Sequence, residues 1–292
     1  MKPHRSPEEL WPDSDGKLVS LCMIVKDEED NLGACLESIQ GLPNEIIIVD
    51  TGSTDRTVEI AESYGARVIR FPWVDSFAAA RNVSLEHATG DWIFWMDADD
   101  RLDEENREKI RQLFRSLTNE NVAYDMKCLC LPDPVSKSET VVDHIRLFRR
   151  HATIRWEYRV HEQILPSIRK RGGEIRWSDV TILHTGYQDP DLRKRKLKRD
   201  LRLLEIDRAD HPNDPFILFN LGSILQELGQ HDKALEPLQR SLERSNPGDS
   251  IVRKLYAMKA RSLNALSLKS EALAACQKGR EVVSCVGGLL IG

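Results

Sequence analysis

Apolar segments short enough to be strands alternate with helical segments over the first 71 residues. Residues 18–25, 45–49 and 68–71 are runs of mainly apolar side chains, typical of strands buried on both faces of a sheet. Residues 31–40 and 57–64, between these runs, have the residue pattern of short helices. Because strands joined through crossover helices pair in parallel, the sequence predicts a doubly wound α/β sheet.

The strand pattern changes in the second hundred residues. The chain first continues with a predicted helix at 76–87, an apolar strand at 92–96 and a helix at 104–117. Four further segments then alternate or run apolar at short spacing, without long helices between them, which is typical of antiparallel strands. They are residues 124–131, 143–148, 156–165 and 180–184. We therefore predict an α/β domain over residues 17–190, with a mixed sheet and helices on both faces.

Residues 191–292 have a wholly helical pattern. Small and apolar residues recur there at offsets that resemble a tetratricopeptide (TPR) repeat, in which small residues let two antiparallel helices approach closely. They are Leu218, Leu221, Gly222, Leu225, Gly229, Ala234, Leu238, Ser241 and Pro247. A degenerate copy follows, and the chain ends without a polar capping helix, as expected of a truncated array. At the other end, the polar residues 1–16 are expected to form a disordered tail.

Composition and charge argue against several classes of protein. With a net charge of −5 the chain is not expected to bind nucleic acid. We interpret the basic stretch 193–199 as a solvated helix face, with a nucleic-acid-binding arm as the alternative. No segment reaches the ~18 apolar residues of a transmembrane helix, and residues 1–16 lack the apolar core of a signal peptide.

The six cysteines have neither CxxC pairs nor the spacing of a disulfide framework. Scattered cysteines without a secretion signal are typical of reduced thiols, so we expect a cytoplasmic location. Cys128 and Cys130 would share one face of a strand, where packing is favoured over a metal site.

Three acidic loops follow predicted parallel strands, at residues 27–29, 50–55 and 97–100. Because parallel strands end at one edge of a sheet, these loops should converge on a single crevice. Closely spaced carboxylates repel unless a cation lies between them, and Mg²⁺ is typically held by carboxylates together with substrate phosphates. Asp97 and Asp99 therefore indicate either a metal-assisted site for a phosphate-bearing substrate or an acidic turn before a helix.

Glycine-rich phosphate-binding motifs are absent from the sequence. Without GxGxxG or GxxxxGK[ST], a dinucleotide-binding fold and a P-loop are both disfavoured. Phosphate charge would then be met by a metal and by arginine side chains, and Arg81 in the predicted helix 76–87 is well placed for this role. Asp100 is expected to cap the helix that follows.

Four motifs stand at residues 24–29, 45–57, 80–82 and 97–100. In order, spacing and strand context they are similar to those of family 2 glycosyltransferases of the GT-A fold. The helical C-terminal part resembles a subgroup with TPR-like repeats, some of whose members glycosylate peptides or proteins. This resemblance implies an inverting transfer of a sugar from a nucleotide-diphosphate donor, with Mg²⁺ or Mn²⁺ and a carboxylate base.

The resemblance also implies roles for individual residues. Asp50 would hydrogen-bond the nucleoside, and Arg81 would contact the diphosphate or the base. Asp97 would contact the ribose or share the metal, and Asp99 would be a metal ligand. The residues assigned to the donor nucleotide are Asp27, Glu28, Asp50, Arg81 and Asp97. A UDP-sugar is favoured, although Thr51 stands where many members have a second aspartate, so the nucleotide base is not fixed.

The base and the last metal ligand must come from the second half of the domain. TPR-linked relatives have a His-Glu pair where this chain has His161 and Glu162, so Glu162 resembles the base that activates the acceptor; a surface glutamate is the alternative. Alternation would place these two side chains on opposite faces of the strand 156–165. GT-A enzymes often complete the metal shell with a late histidine, here His184, whose alternative role is that of a buried structural histidine. His144 and Arg146 are weaker candidates for these site roles in the second half of the domain.

The sequence favours an enzyme, a metal-dependent glycosyltransferase that acts on a hydroxyl or thiol. The acceptor can be a peptide, protein, lipid or glycan. The alternative is a catalytically inactive protein whose helical hairpins bind a peptide or protein partner. A sugar-1-phosphate nucleotidyltransferase is disfavoured, because it would need a glycine-rich loop where this chain has residues 26–29.

Overall fold

The computed structural model describes residues 17–131, 140–186 and 190–289. The tail predicted at 1–16 lies outside the described residues. The chain divides into two compact units, which are described separately. The sheet unit comprises Met1–Tyr158 and Glu162–Gln188, and the helical unit comprises Arg159–His161 and Asp189–Gly292.

The described part of the sheet unit contains one mixed, eight-stranded sheet. Its strands are β1 (Val19–Val25), β2 (Glu45–Asp50), β3 (Arg67–Arg70), β4 (Trp92–Trp95), β5 (Asp100–Arg101), β6 (Val122–Cys130), β7 (Thr140–Arg149) and β8 (Glu174–His184). Their order is β3-β2-β1-β4-β7-β6-β8-β5. Strands β3, β2, β1 and β4 are parallel, whereas β7 is antiparallel to both β4 and β6. The predicted fold class is therefore confirmed.

Helices cover both faces of this sheet. They are α1 (Leu32–Ser38), α2 (Thr57–Ser63), α3 (Phe77–His87), α4 (Glu104–Arg115) and α5 (Leu165–Lys170). The side chains of β1 alternate between two apolar cores: Leu21 packs with residues of α1, α2 and α4, and Cys22 packs with residues of α3 and α5. Burial on both faces explains why β1 is a continuous apolar run.

The strand order determines which loops and side chains meet at one edge. Because β2, β1 and β4 are neighbouring parallel strands, the three acidic loops that follow them leave the same edge of the sheet. In the antiparallel β7, Leu147 pairs with Phe94, so Arg146 lies level with the end of β4. The short strand β5 pairs with β8 and sets Asp100 opposite His184.

The strand predicted at 156–165 is wrong. One isolated bridge, between Glu157 and Gln163, lies in this segment. Tyr158 and His161 have φ values of +71° and +54°, in the left-handed region that an extended strand does not visit. The alternation that suggested a strand comes from buried side chains of a loop, which are Trp156, Val160 and Ile164. His161 and Glu162 therefore do not lie on opposite faces of a strand.

The helical unit consists of consecutive helices, as predicted. They are α6 (Pro190–Asp210), α7 (Pro215–Glu227), α8 (His231–Arg244), α9 (Ser250–Ala265) and α10 (Lys269–Leu289). Gly222 of α7 lies so close to α8 that a Cβ atom there would come within 2.6 Å of the Leu238 side chain. Gly279 of α10 approaches Tyr256 of α9 in the same way, at 2.8 Å. Small residues thus permit both close helix pairs.

Two further observations concern the described residues as a whole. None of their helices combines the length and the apolar character that crossing a membrane requires. The cysteines whose side chains are described are free thiols, namely Cys22, Cys35, Cys128, Cys130 and Cys276.

Candidate active site

Arg81 of α3 joins two of the carboxylates predicted from the sequence. Its Nε donates to Oε1 of Glu162 at 2.6 Å, and its Nη2 donates to Oδ1 of Asp97 at 2.9 Å. Burial alone would lower the pKa of the Arg81 guanidinium, but the two carboxylates raise it above its ordinary value. The candidate base and a candidate donor or metal residue are therefore held by one permanently charged side chain.

Two tryptophan rings fix the plane of this guanidinium. The Arg81 Cζ atom lies 4.3 Å from the ring centroid of Trp95 and 5.0 Å from that of Trp156. The two indoles meet edge to face, with centroids 5.1 Å apart. Trp95 also contacts a second arginine, Arg146, whose Cζ lies 3.8 Å from the ring centroid. Planar guanidinium groups stack on aromatic faces in a way that lysine cannot.

Asn82, the next residue of α3, positions the loop that carries Glu162. Its Nδ2 donates to the carbonyl of Trp156 at 3.0 Å, and its Oδ1 accepts from the Trp156 amide at 2.9 Å. The Glu157 and Gln163 backbones then pair with each other at 3.0 Å in both directions. The loop between them is thus attached to α3, which places Glu162 beside Arg81 although no strand is present.

Asp97 lies between two guanidinium groups at the end of β4. Besides the Arg81 hydrogen bond, its Oδ2 is 4.0 Å from Nη1 of Arg146. Burial alone would raise the pKa of Asp97, but the positive charges of Arg81 and Arg146 hold it below the ordinary range. Asp97 is therefore ionised throughout the neutral pH range.

Asp100 is fully buried and does not cap a helix, contrary to the prediction. Its Oδ2 accepts from Nη1 of Arg146 and from the amide of Asp97, both at 2.8 Å, and its Oδ1 lies 2.9 Å from Nδ1 of His184. The cap of α4 is Asp103, whose carboxylate accepts from the Asn106 amide at 2.8 Å. The prediction failed because the partners of Asp100 come from distant strands.

Asp99 and His184 face each other beside Asp100. His184 Nδ1 lies 3.4 Å from Oδ1 of Asp99. Burial raises the pKa of the Asp99 carboxyl, and the charges of Asp97 and Asp100 raise it further against the opposing effect of His184. The hydrogen bond with Asp100 raises the pKa of the His184 imidazole despite its partial burial.

Gly186 lies close to these two side chains. A Cβ atom on Gly186 would lie 2.8 Å from Nε2 of His184 and 3.8 Å from Oδ2 of Asp99. A larger residue there would displace the His184 ring. Carboxylate oxygen and imidazole nitrogen suit Mn²⁺, and carboxylate oxygen suits Mg²⁺.

The charges around the crevice are also unbalanced in a way that suits a divalent cation. Three carboxylates, those of Asp97, Asp100 and Glu162, contact the guanidinium groups of Arg81 and Arg146, and the fourth, that of Asp99, faces His184. The carboxylates of the crevice therefore outnumber its two arginines by two. Of the donor set predicted from the sequence, Asp99 and His184 face each other at 3.4 Å, and a carboxylate with an imidazole suits Mn²⁺. Among the described residues, donor atoms of Asp97, Asp99 and His184 do not form a group within 4.8 Å of one another, so Asp97 stays a predicted ligand.

A different set of donors lies close together but suits such a cation poorly. Within the described residues, donor atoms of Asp100, Cys128 and His184 lie within 4.8 Å of one another. Burial raises the pKa of the Cys128 thiol to about 12, and a protonated thiol is not a ligand for a hard cation. Arg146 also points its Nη2 at the Cys128 sulfur, at 3.7 Å. A guanidinium thus lies where that cation would have to be.

The residues predicted to contact the nucleoside form hydrogen bonds within and between two loops. Oδ1 of Asp27 accepts from the Thr54 amide at 2.7 Å, and Oδ1 of Asp50 accepts from the Ser53 amide at 3.1 Å. The amide of Glu28 donates to the Thr57 hydroxyl at 2.7 Å. These bonds shape the edge of the crevice. Contacts of Asp27, Glu28 and Asp50 with a donor stay predictions.

Sequence reasoning missed part of this site. Trp95, Trp156 and Asn82 were not candidates, and Arg146 was a weak one, although all four determine where the carboxylates lie. A usable signal was present for Asn82, because it follows Arg81 in a motif of the resemblance. The aromatic residues looked like ordinary core residues in the sequence.

Residues 20–126 match the family model described as glycosyl transferase family 2. The match runs from β1 into β6. The matched residues supply Arg81, Asp97, Asp99 and Asp100 of the site, whereas Arg146, Glu162 and His184 lie beyond them.

Two curated relatives match more of the chain than the family model does. A TPR repeat-containing protein of Synechococcus elongatus is 34% identical over 241 residues, which are 80% of this chain and 58% of the relative. The SPbeta prophage-derived glycosyltransferase SunS of Bacillus subtilis is 30% identical over 236 residues, which are 78% of this chain and 54% of that protein. The chain thus spans somewhat more than half the length of each relative.

Among solved structures, residues 1–349 of TarS from S. aureus, in complex with UDP, resemble the chain. The TM-score is 0.49 and the identity is 12%, with 90% of this chain and 91% of that chain covered. Similarity at this level identifies neither a donor nor an acceptor for this chain.

Proposed function

We propose that this protein is an inverting, metal-dependent glycosyltransferase that uses a nucleotide-diphosphate sugar, with a UDP-sugar as the favoured donor. The observation that carries the proposal is the Arg81 bridge between Glu162 and Asp97, at 2.6 and 2.9 Å, in a chain that matches the family 2 model. It connects a candidate base with the acidic edge where the donor would lie. An inverting transfer needs a base and a leaving group on opposite sides of the reacting carbon.

In the proposed reaction Glu162 is the base. Its Oε1 accepts the Arg81 hydrogen bond, so Oε2 is the oxygen that takes the proton of the acceptor hydroxyl or thiol. The deprotonated acceptor forms a bond to the anomeric carbon as the bond from that carbon to the diphosphate oxygen breaks. The nucleoside diphosphate leaves with the bonding electron pair. Arg81 keeps Glu162 in position while that charge develops.

On the donor side, we assign the metal to Asp99, Asp97 and His184. A bound Mg²⁺ or Mn²⁺ would neutralise the charge of the departing diphosphate. Asp50, Asp27 and Glu28 would line the nucleoside part of the crevice. The acceptor can be a peptide, protein, lipid or glycan, and all four classes are to be tested.

The first test measures the binding of UDP and of GDP, with and without Mn²⁺, by thermal shift and by calorimetry. We expect UDP to stabilise the protein in the presence of Mn²⁺ and to bind more weakly without it. A panel of nucleotide sugars, assayed for metal-dependent hydrolysis, then identifies the sugar. A protein that binds neither nucleotide with Mn²⁺ would contradict the proposal and favour a catalytically inactive scaffold.

A further inference from the structure

The Asp100 carboxylate is buried at the centre of the site and reaches no solvent. We propose that Asp100, held in place by Arg146, is a positioning residue that fixes the His184 ring with its proton on Nδ1 and with Nε2 directed to the cation. This inference rests on the metal site of the proposed function. In it, Asp100 and Arg146 orient the metal ligand His184 without binding the metal themselves.

The hydrogen bonds of Asp100 determine the form of the ring. Oδ2 is used by Arg146 and by the Asp97 amide, and Oδ1 is used by Nδ1 of His184 at 2.9 Å. A carboxylate oxygen accepts, so Nδ1 must donate, and the lone pair of the neutral ring is then on Nε2. Histidines that bind metals commonly donate their other N–H to a carboxylate or carbonyl in this manner.

Arg146 keeps Asp100 from rotating. Its side chain is 2% exposed, its Cζ lies 3.8 Å from the Trp95 ring centroid, and its Nη1 holds Asp100 Oδ2. Burial would lower the pKa of the Arg146 guanidinium, but Asp100 and Asp97 raise it. The stacked, charged group therefore offers Asp100 a fixed partner opposite His184.

Gly186 approaches the His184 ring closely. The position of a Cβ atom on Gly186 lies 2.8 Å from Nε2, 3.1 Å from Cδ2 and 3.8 Å from Asp99 Oδ2. An alanine there would press on the ring and displace it. The three features, an acceptor for the Nδ1 proton, an anchored carboxylate and a glycine against the ring, act on one imidazole.

The first measurement is made on the unaltered protein without metal. Long-range ¹H–¹⁵N spectra of the labelled full chain, recorded well above the ordinary pKa of imidazole, report which ring nitrogen carries the proton. The His184 signals are assigned from their loss in His184→Gln. We expect the Nδ1–H tautomer. An Nε2–H tautomer would overturn the inference and leave the proposed function untouched.

The second measurement is the affinity for Mn²⁺ alone, by calorimetry or electron paramagnetic resonance. Asp100→Asn and Gly186→Ala should each weaken binding by about 10–100-fold, the range seen when supporting residues of metal sites are replaced. Asp103→Asn and Gly248→Ala are the matched controls, since Asp103 caps α4 and a Cβ on Gly248 would meet nothing within 4 Å.

The two measurements separate the possible failures. Unchanged Mn²⁺ affinity in both Asp100→Asn and Gly186→Ala would overturn the positioning role alone. If Asp100→Asn does not fold, the tautomer of the unaltered protein and the affinity of Gly186→Ala decide the matter. An unaltered protein that binds no Mn²⁺ would overturn the metal-dependent function and this inference with it.

Discussion

Arg81 donates to Glu162 from Nε at 2.6 Å, while its Nη2 holds Asp97 at 2.9 Å. One rigid guanidinium therefore fixes the spacing between the proposed base and a carboxylate of the donor side. The two carboxylates come from elements far apart in the chain, and α3 supplies the only side chain described that bonds to both. The geometry of the reaction should depend on the planar pair of donors of Arg81 more than on its charge.

Arg81→Lys tests that dependence. Lysine keeps the charge but lacks the planar pair of donors, so Glu162 and Asp97 should no longer be held together. We expect the rate of donor hydrolysis to fall by about 100-fold, the cost of a misplacement near 1 Å, with a much smaller change in KM. Arg176→Lys is the control, because Arg176 forms exposed ion pairs with Glu120 and Glu174. Equal rates for the two variants would contradict the bridging role.

Glu162→Gln removes the proposed base and retains an oxygen for the Arg81 hydrogen bond. Donor binding should be unchanged, and transfer to the acceptor found by screening should fall by about 10²–10⁴-fold, the usual contribution of general base catalysis. The matched control is Glu157→Gln in the same loop, since the Glu157 carboxylate pairs with the exposed Lys170, at 3.2 Å. Full transfer activity in Glu162→Gln would show that another group is the base.

Asp99→Ala removes the proposed metal ligand with the raised pKa. We expect Mn²⁺ affinity to fall by more than the ~10–100-fold typical when a residue that supports a metal ligand is replaced, and metal-dependent hydrolysis of the donor to disappear. Asp103→Ala should cost about 1 kcal/mol of stability through loss of a helix cap and leave Mn²⁺ affinity unchanged. A functional Asp99→Ala protein would exclude Asp99 as a ligand. Calorimetric titration with Mn²⁺, with and without UDP, makes the comparison.

Local sequence patterns were sufficient to predict the buried strands and the acidic loops that follow them. The apolar run of β1 and the acidic residues directly after β4 are each contained in a few consecutive residues, and parallel pairing of the strands follows from crossover connections. Asp97 and Asp99 could therefore be placed at the correct edge. Glu162 was found through a resemblance, because its loop contains left-handed residues, Tyr158 and His161, that hydrophobic periodicity does not encode.

The rest of the site depends on contacts between distant residues. Asp100 bonds to Arg146 and His184, which are 46 and 84 residues away in the chain, and no local pattern distinguishes such an aspartate from a helix cap. A buried arginine is equally hard to predict, because arginine is rarely buried unless it is paired. The pair becomes evident once β7 and β5 are placed in the sheet.

The neighbourhood of Trp95 also predicts a pH dependence of stability. His144 of β7 meets the Trp95 ring edge to face at 6.1 Å. Burial, together with the charge of Arg146, lowers the pKa of His144 to about 4 from its ordinary value of 6.5. Between these two values the unfolded chain binds a proton that the folded chain does not. Stability should therefore fall as pH decreases from 6.5 to 4, by up to about 3 kcal/mol from this residue.

His144→Phe isolates that contribution, because phenylalanine keeps a ring against Trp95 and cannot titrate. Urea unfolding at a series of pH values should show a shallower loss of stability for the variant between pH 6.5 and 4. At pH 7.5, where the ring is neutral in both the folded and the unfolded chain, the difference between the two proteins gives the packing cost and serves as the internal control. Parallel curves over the whole range would show that His144 takes up its proton equally in both states, against the burial seen beside Trp95.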